Sequence, residues 1–381
     1  MNKKLVNLAV AAALAAPAAA MADATMYGKL HMSIDYFDVK QTDAQKLRNE
    51  DTFKGWAINK GQLGQGAGRA NRIGIKGSED LGGGLKAIYQ VELGIQMAEE
   101  NNPRGGSPIS GGNNITMRNS FVGLAGGWGT FLVGRHDTPL KISTGKLDLF
   151  SDTMADYNGT IGFVDLRVDN AIAYISPSFS GFQFAGAVHA GGGATVASGT
   201  SIDADSLAEA YSLAIIYKNG PFYGSAAYEN INQDILFPYE VNELPDVLDR
   251  RNDNAKWRIG LGLLDWNGFT LTGIYEDETA IAGLEDADVQ RWQVQAGYAF
   301  GNNMVKAMYG SADRDLYRDR NAEEIVRRLA DGDKNAWAIA FDHNFSKRTK
   351  AYVLYTDVDD AGEVLNQNDW SGFSLGMIHK F

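Results

Sequence analysis

The chain has no cysteine, only 8 prolines in 381 residues, and no long apolar run beyond its first two dozen positions. Each shortage excludes something. Without cysteine there is no disulfide framework, so the chain must hold itself together by hydrogen bonding and packing. Without a later run of about 18–20 apolar residues, no helix can span a bilayer. With few prolines and with 44 glycines spread throughout, no linker divides the chain into domains. Positive charge is also in short supply. The 35 basic residues face 47 acidic ones, which argues against nucleic acid as a partner.

What is present begins with an address. Lys3 and Lys4 precede an apolar, Ala-rich stretch, Leu5–Ala16, followed by Pro17 and the small-x-small triplet Ala20-Met21-Ala22. This pattern predicts a signal peptide over 1–22 and a single mature unit over 23–381. Removing the two leader lysines brings the net charge of that unit to −14.

The mature sequence repeats one theme. In Trp370–Phe381, Phe373, Leu375, Met377 and Phe381 share one parity, and Ser374, Gly376 and Lys380 share the other. Side chains alternate faces along a strand, so such a segment has one apolar and one small, wet face. Ala24–Phe37 alternates in the same way, with Met26, Leu30, Met32, Ile34 and Tyr36 against Lys29, His31, Ser33 and Asp35. The pattern predicts sixteen strands, among them Arg69–Glu79, Leu85–Gly94, Ile115–Ala125 and Trp128–His136.

Short Gly/Asn turns follow the even-numbered strands, and long polar loops follow the odd-numbered ones. Val39–Gly68, Met97–Asn114 and Asp137–Leu166 are the first three of these loops, and a later one, Ala312–Lys334, holds a stretch of helical composition, Asn321–Leu329. An even strand count and about 22 residues per strand with its connection describe an all-β, antiparallel transmembrane barrel, with short periplasmic turns and long external loops. Aromatics such as Trp257, Trp292, Tyr298 and Trp337 lie on the apolar parity near strand ends, where rings favour the headgroup level. A β-sandwich core also alternates, but it does not carry Lys, Arg and Glu at mid-strand on its other face.

Several short pieces resemble the Gram-negative general porins. They are Ala24-Thr-Met-Tyr-Gly-Lys29, Arg72-Ile-Gly-Ile-Lys-Gly-Ser-Glu-Asp-Leu81, Ser120-Phe-Val-Gly-Leu124, Gly134-Arg135, Asp169-Asn-Ala-Ile-Ala-Tyr-Ile-Ser-Pro177 and the terminal Phe381. The resemblance spans the mature chain. It implies a homotrimer of sixteen-stranded barrels in the outer membrane, in contact with lipid and lipopolysaccharide. Each barrel would hold a water-filled pore for ions and small hydrophilic solutes. It also implies that the third long loop folds inward and opposes its acids to a basic wall, and that the second loop latches onto a neighbouring subunit. Here the third loop offers Asp148, Asp152, Asp156 and Asp165, without the Pro-Glu-Phe-Gly-Gly motif of the enteric members.

Opposed charges at a constriction select solutes by size and charge. The wet parity of the first four strands supplies Lys29, Arg72, Lys76, Lys86 and Arg118 as candidates for the basic wall. Arg135 matches the family's constriction arginine, yet it shares parity with the outward Phe131 and Val133, so a bulge is needed to turn it inward. A basic constriction favours anions, whereas Asp277/Glu278, Asp313/Asp315 and Asp357/Asp359/Asp360, read as loop acids, favour cations at the mouth. None of these clusters has a complete calcium-loop spacing, and the glycines at 61, 64, 66 and 68 precede no helix, so no metal or cofactor is expected.

Three other classes compete. A barrel enzyme needs a Ser/His pair oriented by a third group, and the five histidines are scattered over five strands. A substrate-specific channel for a small anion or organic acid would line its lumen with aromatics, whereas here the aromatics fall mostly on the apolar parity, with Tyr223 and Tyr352 as exceptions. A structural barrel would carry a plugged lumen.

Overall fold

The computed structural model describes residues 24–41, 45–46, 51–59, 70–95, 97, 115–191, 206–236, 252–285, 287–316, 332–360 and 369–381. The leader, the helical stretch 321–329, the glycine run 61–68 and, apart from Met97, the second long loop lie outside them. Eighteen hydrogen-bonded segments among the described residues build sixteen antiparallel strands.

These are β1 (Thr25–Val39), β2 (in two pieces, Lys54–Ile58 and Arg72–Gly82), β3 (Leu85–Ile95) and β4 (Ile115–Met117 and Ser120–Gly126). Then come β5 (Gly129–Asp137), β6 (Arg167–Ile175), β7 (Phe182–His189), β8 (Ala210–Asn219) and β9 (Phe222–Ile231). The rest are β10 (Asn254–Trp266), β11 (Phe269–Thr279), β12 (Ala287–Phe300), β13 (Asn303–Leu316), β14 (Gly332–Asn344), β15 (Thr349–Asp360) and β16 (Trp370–Lys380).

Each strand pairs with its sequence neighbours, and β1 closes the circle by pairing with β16 from Lys29↔Lys380 to Val39↔Trp370. At the seam the N–H groups of Gly28 and Phe381 donate to each other's carbonyls at 3.0 and 3.2 Å. A side chain at position 28 would strike the Phe381 ring, so glycine permits this approach. Closure leaves no sheet edge unpaired, the condition for a sheet to exist in hydrocarbon.

The faces are sorted opposite to a soluble protein. On β12, Trp292, Val294 and Tyr298 are 40–46% exposed while Gln293 and Gln295 are 1% exposed. Apolar side chains point out and polar ones in. A β-sandwich would bury the first set, so the barrel is the architecture. The turns behave as their residues require. Asn267 and Gly268 hold φ of 51° and 87°, the left-handed pair that a two-residue hairpin needs.

Three expectations change. The loop expected over Val39–Gly68 contains Lys54–Ile58, which pairs with β1 at Ile34–Asp38 and continues β2. Its apolar parity is only Trp56 and Ile58, too short to stand out in sequence. β4 breaks at Arg118–Asn119, so Arg118 and Ser120 are not in register across one unbroken strand. The acids read as loop charge lie within β11, β13 and β15. These strands extend further than their apolar parity does, because their inward charges find cross-strand partners.

Candidate functional site

The third long loop, residues 138–166, lies inside the barrel against the inner wall. It opens with α1 (Pro139–Thr144), where the Thr138 side chain accepts from the Lys141 N–H and Pro139 fills the first turn. A second turn of helix, α2 (Tyr157–Thr160), is capped by Asp156.

The outgoing limb climbs across six successive strands, each contributing an anchor. Ser212 on β8 accepts from the Leu140 N–H at 3.0 Å, and Tyr223 on β9 donates to the Ser143 carbonyl at 2.8 Å. Arg258 on β10 donates to Thr144 Oγ1 at 3.1 Å, and Thr272 on β11 to the Leu147 carbonyl at 2.8 Å. Gln295 on β12 accepts from the Leu149 N–H at 2.6 Å and donates to Asp148 at 2.9 Å. Lys306 on β13 donates to the Leu149 carbonyl at 2.7 Å. Further on, Asp152 meets Lys29 of β1 at 2.5 Å, and Gly159 accepts from Lys334 of β14 at 3.4 Å.

Apolar side chains fill the space between loop and wall. Phe150, Met154, Tyr157 and Phe163 pack with Phe37, Met308, Leu354 and Trp370, which are inward-facing. Tyr223 and Tyr352 are 5% and 3% exposed, so they serve this packing and do not line the bore. Inward glycines at 260 and 262 make room for Leu147, which would lie 2.5 and 2.8 Å from an added Cβ. Gly260→Val is expected to lift Leu147 and Thr144 off the wall and to cost about 1–3 kcal/mol, as overpacking does. Denaturant titration of the refolded barrel measures this.

The loop covers β8–β16 and β1, and the inward faces of β5–β7 carry a small buried cluster of Leu132, Ala173 and Ala187, so the inward charge left uncovered lies on β2–β4. There Lys76 and Lys86 are exposed, and Arg72 and Arg118 are half-buried. Glu92 on β3 organises the centre of this arc. Its carboxylate accepts from Arg118 Nε at 2.6 Å and from Tyr27 Oη at 2.9 Å, with Arg72 Nε at 3.8 Å. The loop's own exposed charge inside the barrel is Lys146.

A family model described as Gram-negative porin matches residues 8–363. The chain belongs to that family. The major outer membrane protein P.IB of Neisseria meningitidis serogroup A is 29% identical to this porin over the whole of both chains. The structure of an anion-selective porin from Comamonas acidovorans covers 94% of this porin and all of its own chain, with a TM-score of 0.64 and 20% identity. The trimer form of OmpT from Vibrio cholerae covers 94% of this porin and 99% of its own chain, with a TM-score of 0.57 and 13% identity. This porin is thus an outer-membrane protein whose water-filled channel carries ions and small hydrophilic solutes by passive diffusion.

Of the expected constriction residues, the porin brings Lys29, Arg72, Arg118 and Asp152 together. Lys86 stands apart, next to the Gly83-Gly84 turn. Arg135 follows Gly134 at a register shift in β5, as its parity required, but its guanidinium pairs with the exposed Asp169 at 2.6 Å and donates to the Met117 carbonyl at 3.0 Å. Glu92 and Tyr27 escaped the sequence reading. Glu92 sits among wet-parity residues of β3 with nothing to mark it, and Tyr27 breaks the polar pattern of β1.

The loop acids divide by role. Burial pushes the Asp152 carboxyl up, but the Lys29 ammonium, with Arg72 and Arg118 behind it, outweighs this and holds it below the ordinary range. Asp156 accepts from the Asp152 and Asn158 N–H groups at 2.6 and 2.9 Å, so it folds the loop tip. Burial and then the charge of Asp152 push its carboxyl up to about 6. Asp148 is raised by burial and by Asp156.

A carboxyl with a higher pKa folded than unfolded makes the folded state bind its proton more tightly. The porin is therefore expected to lose stability as pH rises from about 4, the unfolded carboxylate value, through the Asp156 value near 6. Acidification across that window restores it. Thermal unfolding between these pH values should show the slope, and Asp156→Asn should flatten it. An unchanged slope in the variant would remove Asp156 from the account.

Proposed function

We propose that the porin is an anion-preferring diffusion pore, without turnover, working as a homotrimer. One observation carries the anion preference: the open arc of the lumen carries a surplus of positive charge. Lys29 and Asp152 neutralise each other, and Glu92 offsets one of Arg72 and Arg118. Lys76 and Lys146 remain exposed in the same space, and Lys86 lies apart from it, across the strand pair from Asp80. The other acids of the third loop, Asp148, Asp156 and Asp165, turn toward the wall and bond there or within the loop. A low-dielectric wall concentrates the field of the surplus charge, lowering the barrier for anions and raising it for cations.

The experiment is a planar-bilayer recording with a KCl gradient. The zero-current potential should lie on the chloride side and decline with salt, because screening at about 0.1 M reaches only about 10 Å. A cation-side potential would end the reading. Linear conductance without solute block separates this diffusion pore from a substrate-specific channel.

The trimer rests on an asymmetry of the outer face. Exposed residues on β2–β4 are mostly aliphatic, such as Ile73, Ile75, Val91, Ile115, Met117 and Val122. On β10–β14 Trp257, Trp266, Trp292, Tyr298 and Trp337 supply the aromatic belt expected of lipid contact. The aliphatic sector suits another protein surface. The leader is removed on export, and lipid with lipopolysaccharide bathes the aromatic sector.

A further inference from the structure

Arg258 lies mid-strand on β10, facing inward, and is completely buried. Its contacts fall on three segments. Nε and Nη2 donate to Glu276 of β11 at 2.7 and 2.6 Å. Nη1 donates to Thr144 Oγ1 at 3.1 Å and to Asp165 Oδ1 at 2.6 Å, and Nη2 reaches the Val164 carbonyl at 3.5 Å. Thr144 ends α1 on the outgoing limb of the third loop, and Asp165 lies on the returning limb. The Tyr157 hydroxyl donates to the other oxygen of Asp165, which ties α2 to the same point. The guanidinium carbon stands 5.3 Å from the Phe163 ring.

Ser212, Tyr223, Thr272, Gln295 and Lys306 bond the outgoing limb alone, and Lys334 the returning limb alone. Among the polar wall anchors of the described residues, Arg258 is the one that bonds both. A planar guanidinium with donors fixed in a fork suits such a junction, because its geometry is set before the contacts form. Breaking one partner of a buried charged cluster leaves the others uncompensated. The free volume beside the loop is the bore, so a limb released from the wall has nowhere else to go.

We propose that Arg258 is a positioning residue for the channel: it pins the two limbs of the third loop to the wall and so keeps the bore open, without lining it. This rests on the reading that the third loop bounds the conducting space. Asp165→Asn removes the charge that ties the returning limb to Arg258 and leaves the Thr144 bond and the Arg258–Glu276 wall pair intact. Arg258→Met removes the whole pin, and Arg258→Lys keeps a charge with fewer directed donors.

Single-channel closings at fixed voltage should rise about tenfold in Asp165→Asn, the factor that loss of one buried charge-assisted hydrogen bond implies. Arg258→Met should close more often still, and Arg258→Lys should fall between wild type and Arg258→Met. The zero-current potential should change little in Asp165→Asn. Wild-type closing frequency in folded, conducting Asp165→Asn protein would overturn the proposal, and that variant decides even where Arg258→Met fails to fold. The charge reading fails separately, by the response of the Arg72 and Arg118 variants. Those can be silent while the pin holds.

Discussion

Arg72→Ala and Arg118→Ala are each expected to move the zero-current potential toward the cation side, and the double variant is expected to move it furthest, with the exposed lysines keeping a reduced anion preference. The two guanidiniums flank Glu92, which bonds Arg118 directly and sits 3.8 Å from Arg72. Removing one cation leaves the Glu92 charge paired with the other. Removing both leaves Glu92 facing the lumen with the Tyr27 hydroxyl as its one remaining carboxylate partner among the described residues. Lys29 cannot compensate, being bound to Asp152. An ion passing about 4 Å from one elementary charge interacts with it by about 1 kcal/mol even at the dielectric constant of water, and by more beside a low-dielectric wall. That corresponds to a severalfold change in the anion-to-cation permeability ratio. Reversal potentials under a tenfold KCl gradient read it directly. Wild-type potentials in the double variant would sink the basic-arc account while leaving the barrel untouched.

Leu261→Arg is the second large effect, and it tests the environment of the outer face. Leu261 lies near the middle of β10 and is 63% exposed. On a soluble protein such a substitution is close to neutral, within about 0.5 kcal/mol. On the lipid face of a barrel, an arginine near the midplane costs about 2–4 kcal/mol. Reversible folding into vesicles, followed by denaturant titration, distinguishes the two. The neighbouring Gly260 points the other way, toward Leu147, so a one-residue step along β10 passes from lipid to the packed loop.

The strand count, the closed sheet and the direction of each face were legible in the sequence, because a period of two is a local property and membrane burial enforces it at every position. The third loop's inward course came only as an implication of family resemblance. Its four acids looked alike as a row of aspartates, yet one reaches the basic arc, and Asp148, Asp156 and Asp165 serve the fold of the loop. Nothing in the spacing of 148, 152, 156 and 165 separates them. The separation comes from partners far along the chain, Gln295, Lys29 and Arg258 among them. Glu278 and Asp360 misled for the same reason. Glu278 is buried against Arg291 at 2.6 Å, and Asp360 pairs with Arg314, contacts that only strand register creates.

The sequence by itself therefore determined a tube with oily walls, an even set of strands, and short turns on one rim. Those features follow from alternation and turn chemistry, which each stretch of chain carries alone. Tertiary structure decided which inward charges meet water, because a loop crossing from β8 to β1 covers most of the lumen wall and leaves one basic arc bare. Charge that is covered is cancelled by its partners, and charge left in the bore acts on the passing ion.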